Sequence, residues 1–256
     1  MIKIGVLHPG EMGVSIAAAA TNSGNQVYWT SENRNSKTHL RSEKYGLLDA
    51  SSLSQLTQNS DIIFSVCPPH SAEEVAKSVI DQGFKGYYLD ANAISPQRTI
   101  KIGNMMESNG IHFIDGGIIG GPAWNPKETW LYLSGKDAKA IADCFSNGPL
   151  ETKIIGDEIG KASALKMCYA AYSKGTTALL ADDSGFSEQT NRRVTRVTAK
   201  AWRFEGEMHE IASTFQEAGL PNGFHEAAAE IYRHLAGFKD STETPSLDDV
   251  LNTLRK

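Results

Sequence analysis

Cysteine is scarce in this 256-residue chain: Cys67, Cys144 and Cys168 are odd in number and widely spaced. That excludes a disulfide framework and a thiolate metal site, and predicts reduced, mostly buried thiols. Long apolar runs are also missing. The opening MIKIGVLHPGEMG offers only about six apolar residues before His8 and Pro9, too few for a signal peptide, and no later window approaches a membrane span. The expectation is a cytoplasmic protein without a membrane partner. Neither charge sign dominates, since 25 basic and 30 acidic residues are interspersed for a net charge of −5. This argues against nucleic acid or an anionic membrane and for a small-molecule substrate. Neither a G-x-S-x-G elbow nor a G-x-x-x-x-G-K-[ST] loop occurs. The histidines of Glu207-Met-His209-Glu210 and His225-Glu226 lack the i,i+4 pairing of a zinc helix, so no metal is expected. Asp182 and Asp183 are adjacent, cannot share a helix face, and read as a solvated surface.

What the chain does have is alternation. Short β-branched or aromatic runs at Ile2–Leu7, Gln26–Thr30, Asp61–Val66, Gly86–Asp90 and Ile111–Asp115 alternate with helical patterns, and Thr129–Ser134 and Thr152–Ile155 follow as edge strands. Such alternation predicts βαβ units and a parallel sheet. Ser71-Ala-Glu-Glu74 reads as a capping box, and Gly83 and Gly110 fall where helices should end. After Gly156 the strand pattern stops, and Lys161–Ala181, Asn191–Ala218, Phe224–Phe238 and Leu247–Leu254 carry helical periodicity. The fold class is therefore α/β: a Rossmann-type parallel sheet over residues 1–157 and a smaller all-α domain over 158–256.

The turn after the first strand carries the chemistry. Gly5-Val-Leu-His-Pro-Gly10-Glu-Met-Gly13 follows a β run and opens the Ala-rich helix Val14–Thr21. Glycines there let backbone approach a pyrophosphate, and the helix amino end offers N–H groups and a positive dipole end to it. Gly10 and Gly13 match the second and third glycines of G-x-G-x-x-G, whereas His8 and Pro9 stand at the first position and after it. His8, Pro9, Gly10, Glu11, Met12 and Gly13 are thus candidate cofactor residues. At the end of the second strand, Thr30 takes the first candidate position for a ribose contact. Ser31, Arg34 and Ser36 supply hydroxyls and a guanidinium suited to a phosphate, which favours NADP. Glu32 keeps NAD open, because an acid there would bind the adenosine ribose.

In order along nearly the full length, the chain resembles the superfamily of 6-phosphogluconate dehydrogenase and the β-hydroxyacid dehydrogenases, and within it the short members with a reduced helical C-terminal domain. Ile4–Gly13 is similar to the family's opening I-G-x-x-G-x-G-x-M-G. Asp61-Ile-Ile-Phe-Ser-Val-Cys-Pro-Pro69 is similar to its fourth strand and the loop against the nucleotide, which implies cofactor contacts from Cys67 and Pro68. Asp90-Ala-Asn-Ala-Ile-Ser-Pro96 and Asp115-Gly-Gly-Ile-Ile-Gly-Gly-Pro122 look like the D-x-S-T-x-x-P and D-A-P-V-S-G-G loops, adding Asn92 to the cofactor set. Gly160-Lys-Ala-Ser-Ala-Leu-Lys166 is similar to G-x-G-x-x-x-K.

The resemblance implies an oxidoreductase that interconverts an alcohol or hydroxyacid with a carbonyl, with Lys166 as general acid or base; the residues around Arg34 make its expected cofactor NADP(H), and Tyr169, a turn after Lys166, is a second catalytic candidate. A desolvated lysine can protonate the oxygen on which carbonyl reduction builds charge. Gly120, Gly121, Trp124 and Trp202 are candidate substrate contacts. Ile119 replaces the family's carboxylate-binding serine, and the asparagine one turn past the lysine falls near Tyr169 and Ala170, but the Gly120 and Gly121 N–H groups can still receive an oxyanion. In the stretch around Trp202 and Glu207, Phe204, Met208, Ile211 and Phe215 fit helix packing. An imine reductase of the same fold and a dinucleotide-binding regulator are alternatives. The apolar faces of a helical domain of roughly a hundred residues exceed what it can bury alone, which predicts a homodimer through those helices.

Overall fold

The computed structural model describes residues 1–177, 188–241 and 243–255, and the backbone only for 188–190. Asp182 and Asp183, and the end of the expected helix Lys161–Ala181, lie outside the described residues. The chain divides into two compact units, Met1–Lys166 and Met167–Lys256.

The first unit is an eight-stranded sheet. Its strands are β1 (Lys3–Val6), β2 (Gln26–Trp29), β3 (Leu48–Asp49), β4 (Ile62–Ser65), β5 (Tyr87–Asp90), β6 (His112–Ile119), β7 (Thr129–Ser134) and β8 (Leu150–Gly156), ordered β3-β2-β1-β4-β5-β6-β7-β8. All pairs are parallel except β6 with β7. Between the strands run α1 (Glu11–Asn22), α2 (Ser36–Lys44), α3 (Leu53–Gln58), α4 (Ala72–Asp81), α5 (Pro96–Ser108) and α6 (Ala138–Ala142).

Side chains alternate across a strand, so each strand feeds two cores. Ile62, Phe64, Leu89 and Ile114 pack with α1 and α6 residues such as Ile16, Ala20 and Ile141 on one face. Ile63, Tyr88 and Phe113 pack with Leu56, Ala76, Val79, Ile102 and Met106 from α3, α4 and α5 on the other. The sheet order reverses direction between β1 and β4, and the crevice outside their carboxyl ends is where this architecture receives ligands.

Several expectations need correction. Thr129–Ser134 is not an edge strand: it lies between β6 and β8, with Thr129, Leu131 and Leu133 fully buried. The strand expected to stop at Asp115 continues to Ile119, because β7 supplies antiparallel partners through that residue. Ser71 makes no capping bond, since Pro69 begins a 3-10 turn that already holds Ser71 in helical geometry. Of the three thiols only Cys144 is buried; Cys67 is partly buried and Cys168 is exposed. Burial pushes the Cys67 and Cys144 thiols up to about 12.

The second unit is helical. The division falls within α7 (Lys161–Ala170), which is followed by a π-helical turn at Ala171–Gly175 and by α8 (Glu188–Val197), α9 (Ala201–Glu217), α10 (Gly223–Leu235) and α11 (Leu247–Leu254). The single helix expected over Asn191–Ala218 is broken at Thr198–Lys200, where the buried Thr198 hydroxyl donates back to the Thr195 carbonyl at 2.7 Å. Gly219, at φ +71°, ends α9, and a capping box between Ser246 and Asp249 starts α11. The π turn is tied on three sides. The Lys174 ammonium meets the Glu207 carboxylate at 2.7 Å, Tyr232 Oη donates to the Lys174 carbonyl at 2.9 Å, and Arg193 Nη2 donates to the Ser173 carbonyl at 2.9 Å. No helix among the described residues is long and apolar enough to cross a membrane.

Candidate active site

The carboxyl ends of β1, β4, β5 and β6 lie side by side, and each delivers a polar element to the same edge. From β1 comes the turn His8–Gly13. Gly10 precedes α1, and no side chain caps the helix there. Gly13 is dictated by close approach, because a Cβ there would lie 2.1 Å from the His8 carbonyl oxygen. Pro9 is buried and its carbonyl accepts from Arg41 Nη1 at 3.2 Å, while Arg34 Nη2 donates to the Leu7 carbonyl at 3.0 Å. Two guanidiniums thus brace the turn from the β2 side. Met12 packs against the core, and its carbonyl accepts from Ser15 Oγ.

His8 lies beside Arg34 in a cavity of about 260 Å³ that is also lined by Thr30, Glu32, Asn33, Leu53, Val75 and Ser78. Burial, with a smaller push from the Arg34 charge, lowers the His8 imidazole to about 4, and its Nδ1 is buried without a partner. Both the acid and the guanidinium anticipated near the ribose line this cavity. Ser31 is held by its backbone N–H on Asp49 Oδ1. An uncapped helix end, a glycine that no other residue can replace and an orphaned buried nitrogen beside a cation fit a dinucleotide.

The neighbouring strand ends are cross-linked. Asn92 Oδ1, just after β5, accepts from the Cys67 backbone N–H at 2.6 Å, and Asn92 Nδ2 donates to Ser65 Oγ at 3.1 Å. This fixes the Cys67-Pro68 loop beyond β4. Asp90 Oδ1 accepts from the Asn92 N–H at 3.0 Å, and its other oxygen has no partner. Burial, and to a smaller degree repulsion from Asp115, pushes the Asp90 carboxyl up to about 7.

At β6 the site meets α7. Lys166 Nζ donates to the Ile118 carbonyl at 2.6 Å. Gly120 and Gly121 follow, and the Gly121 carbonyl accepts from Thr129 Oγ1. The chain then crosses to α1, where the Ala123 N–H donates to Ser15 Oγ at 2.9 Å. Trp124 consequently stacks on Tyr45 at 4.7 Å between ring centroids, in a cleft shared with Glu11, Leu40, Arg41 and Lys44. The structure thus groups Trp124 and Glu11 with α2, while Lys166 sits at the end of β6.

In the second unit Tyr169 and Tyr172 are exposed, and the Lys239 ammonium lies 4.1 Å from the centre of the Trp202 ring. Phe204, Met208 and Ile211 are core residues, and Glu207 is buried in its pair with Lys174. Sequence reasoning missed the roles of Asp90 and Asp115. The available signal was an acid closing each of two apolar strands, in Tyr87-Tyr-Leu-Asp90 and Phe113-Ile-Asp115.

Residues 3–145 match the model of the NAD binding domain of 6-phosphogluconate dehydrogenase, more than half of the chain. The chain belongs to this family. Residues 176–235 match a second family, described as a domain of unknown function, DUF1932. A protein of Methanothermus fervidus, "Uncharacterized 28.5 kDa protein in 7S RNA 5'region", is 31% identical over 180 residues, which is 70% of this chain and 68% of that protein. The fold is shared with 3-hydroxyisobutyrate dehydrogenase from Salmonella typhimurium, at TM-score 0.75, 14% identity and coverage of 98% and 99% of the two chains. It is shared with an imine reductase from Myxococcus stipitatus at TM-score 0.59, 16% identity and coverage of 100% and 99%. The fold is thus that of the NAD(P)-dependent dehydrogenases and reductases, and the first unit is a nicotinamide-dinucleotide domain.

Proposed function

We propose that this member of the 6-phosphogluconate dehydrogenase family is an NADP(H)-dependent oxidoreductase that interconverts a carbonyl with an alcohol or hydroxyacid, with Lys166 as its general acid and base. The observation that carries this reading is the Lys166 ammonium held on the Ile118 carbonyl, on the same crest of strand ends as the dinucleotide turn. Three strand spacings, about 14 Å, separate β1 from β6 along that crest. A nicotinamide dinucleotide supplies or accepts hydride when bound. The chain's own residues do the rest. Gly10 to Gly13 and the amino end of α1 bind phosphate, Asn92 fixes the Cys67-Pro68 loop, and the Gly120 and Gly121 amides are donors for a developing oxyanion. Lys166 carries the proton to or from the substrate oxygen. Arg34 beside Thr30 in the His8 cavity supports NADP, since a guanidinium suits a 2′-phosphate.

Oxidation of NADPH and NADH against a panel of 2-oxo acids, aldehydes and cyclic imines tests the reading. The expected result is turnover of at least one carbonyl with a preference for NADPH, and a loss of at least about 100-fold in Lys166→Ala. An undiminished Lys166→Ala rate overturns the role of the lysine, and turnover of imines alone replaces carbonyl with imine reduction. We further propose that the second unit mediates a homodimer, because Tyr172, Leu220 and Phe224 are exposed apolar side chains there. Light scattering that returns the monomer mass, 27.8 kDa, rejects the dimer.

A further inference from the structure

The Asp115 side chain is a hub. Its Oδ2 accepts from Ser134 Oγ at 2.9 Å, from the Gly160 N–H at 2.9 Å and from the Ser163 N–H at 3.1 Å, while Oδ1 accepts from Ser163 Oγ at 2.6 Å. Three of these four donors belong to the first turn of α7 or the residue before it. Ser134 Oγ in turn accepts from the Ala162 N–H at 3.1 Å, and Thr99 and Ser163 share a hydrogen bond at 2.8 Å. Asp115 therefore does from another strand what an N-cap residue does locally: its oxygens satisfy backbone donors that the helix leaves unpaired and place negative charge at the positive end of the dipole. All four partners donate, which suits the ionised, acceptor-only carboxylate. Burial opposes that form and pushes the carboxyl above its ordinary value, so the donors and the burial pull in opposite directions.

The consequence for Lys166 is geometric. Asp115 and Ile118 are three residues apart on β6, and Ser163 and Lys166 are three apart on α7. The two segments are pinned at both points, by carboxylate to helix start and by ammonium to carbonyl. Between the pins Gly117 lets α7 press on the strand, since a Cβ there would lie 2.6 Å from the Ala162 carbonyl oxygen. We infer that Asp115 is a positioning residue for the reaction: through Ser163 and Gly160 it sets the register of α7 against β6, and so the place of the Lys166 ammonium. This rests on the catalytic role proposed for Lys166. Misplacement of a catalytic group by about 1 Å lowers the rate by roughly 100-fold without abolishing binding.

The test uses the full chain as Asp115→Asn, Ser163→Ala and Lys166→Ala, and as each of the first two combined with Lys166→Ala. NADPH affinity is read from nicotinamide fluorescence, and kcat and KM from the best carbonyl of the panel. The expected outcome is an NADPH Kd within twofold of wild type. We expect kcat to fall about 10-fold in Ser163→Ala and about 100-fold in Asp115→Asn with KM within threefold, and no further loss when either is added to Lys166→Ala. A wild-type kcat in Ser163→Ala, or losses that multiply with that of Lys166→Ala, overturns the positioning role while leaving the lysine in place. Full activity in Lys166→Ala overturns both. Should Asp115→Asn fail to fold, Ser163→Ala and its double variant decide the matter.

Discussion

Lys166 is anchored to backbone, its ammonium 2.6 Å from the Ile118 carbonyl oxygen. The anchor does not depend on the side chain at position 119, where isoleucine stands in place of the serine that the family pattern carries. A lysine held on a main-chain carbonyl keeps its place whatever side chain stands at position 119.

The approach of α7 to β6 is the first point to test. A methyl group at Gly117 would fall 2.6 Å from the Ala162 carbonyl oxygen and 3.3 Å from Lys166 Cβ, and backbone cannot yield as a side-chain tip can. Gly117→Ala should destabilise the protein by about 1–3 kcal/mol in urea unfolding and lower kcat more than NADPH affinity. Wild-type stability and kcat together would show that the contact is loose.

His8 should give the protein an acid-side loss of stability. Its imidazole is lowered from 6.5 to about 4 in the fold, so between those values the unfolded chain binds the extra proton. Stability from this group is complete above pH 6.5 and declines as pH falls to about 4, by at most about 3 kcal/mol. Substitution to the family's residue, His8→Gly, should flatten that part of the profile of unfolding free energy against pH. An unchanged slope would mean that the ring titrates normally.

Asp90 acts with the opposite sign. Its carboxyl is raised from 3.8 to about 7, so the folded protein holds the proton between these values and stability falls as pH rises through them, by up to about 4 kcal/mol. The Asp90→Asn variant should lose this decline and gain stability at pH 8 relative to wild type. Equal wild-type and variant slopes from pH 4 to 7 would refute it.

The pair of Lys174 with Glu207 anchors the π turn, with side chains 15% and 5% exposed. Removing the carboxylate leaves a nearly buried ammonium, so Glu207→Ala should cost about 3–5 kcal/mol, whereas Lys174→Met with Glu207→Leu should be close to neutral. Chemical denaturation of the three proteins gives the comparison; equal losses in the single and double variants would show that packing, not charge, is what Glu207 provides.

Much of this was legible in the residues. The strand-glycine-helix pattern of Lys3–Asn22, the two-sided apolar strands and the change to helical periodicity after Gly156 follow from local rules, because period and turn chemistry act over a few residues. The dinucleotide turn was visible for the same reason, as a short motif in a readable context, whereas Lys166 stood out only through the family resemblance. Which distant groups meet depends instead on how the whole chain packs. Nothing local marks Thr129–Ser134 as an interior strand, Trp124 as the partner of Tyr45, or Asp115 as the anchor of a helix 45 residues further on. Those outcomes depend on sheet order and on where buried donors and acceptors find each other, and a carboxylate reads the same in a sequence whether it faces water or caps a helix from across the fold.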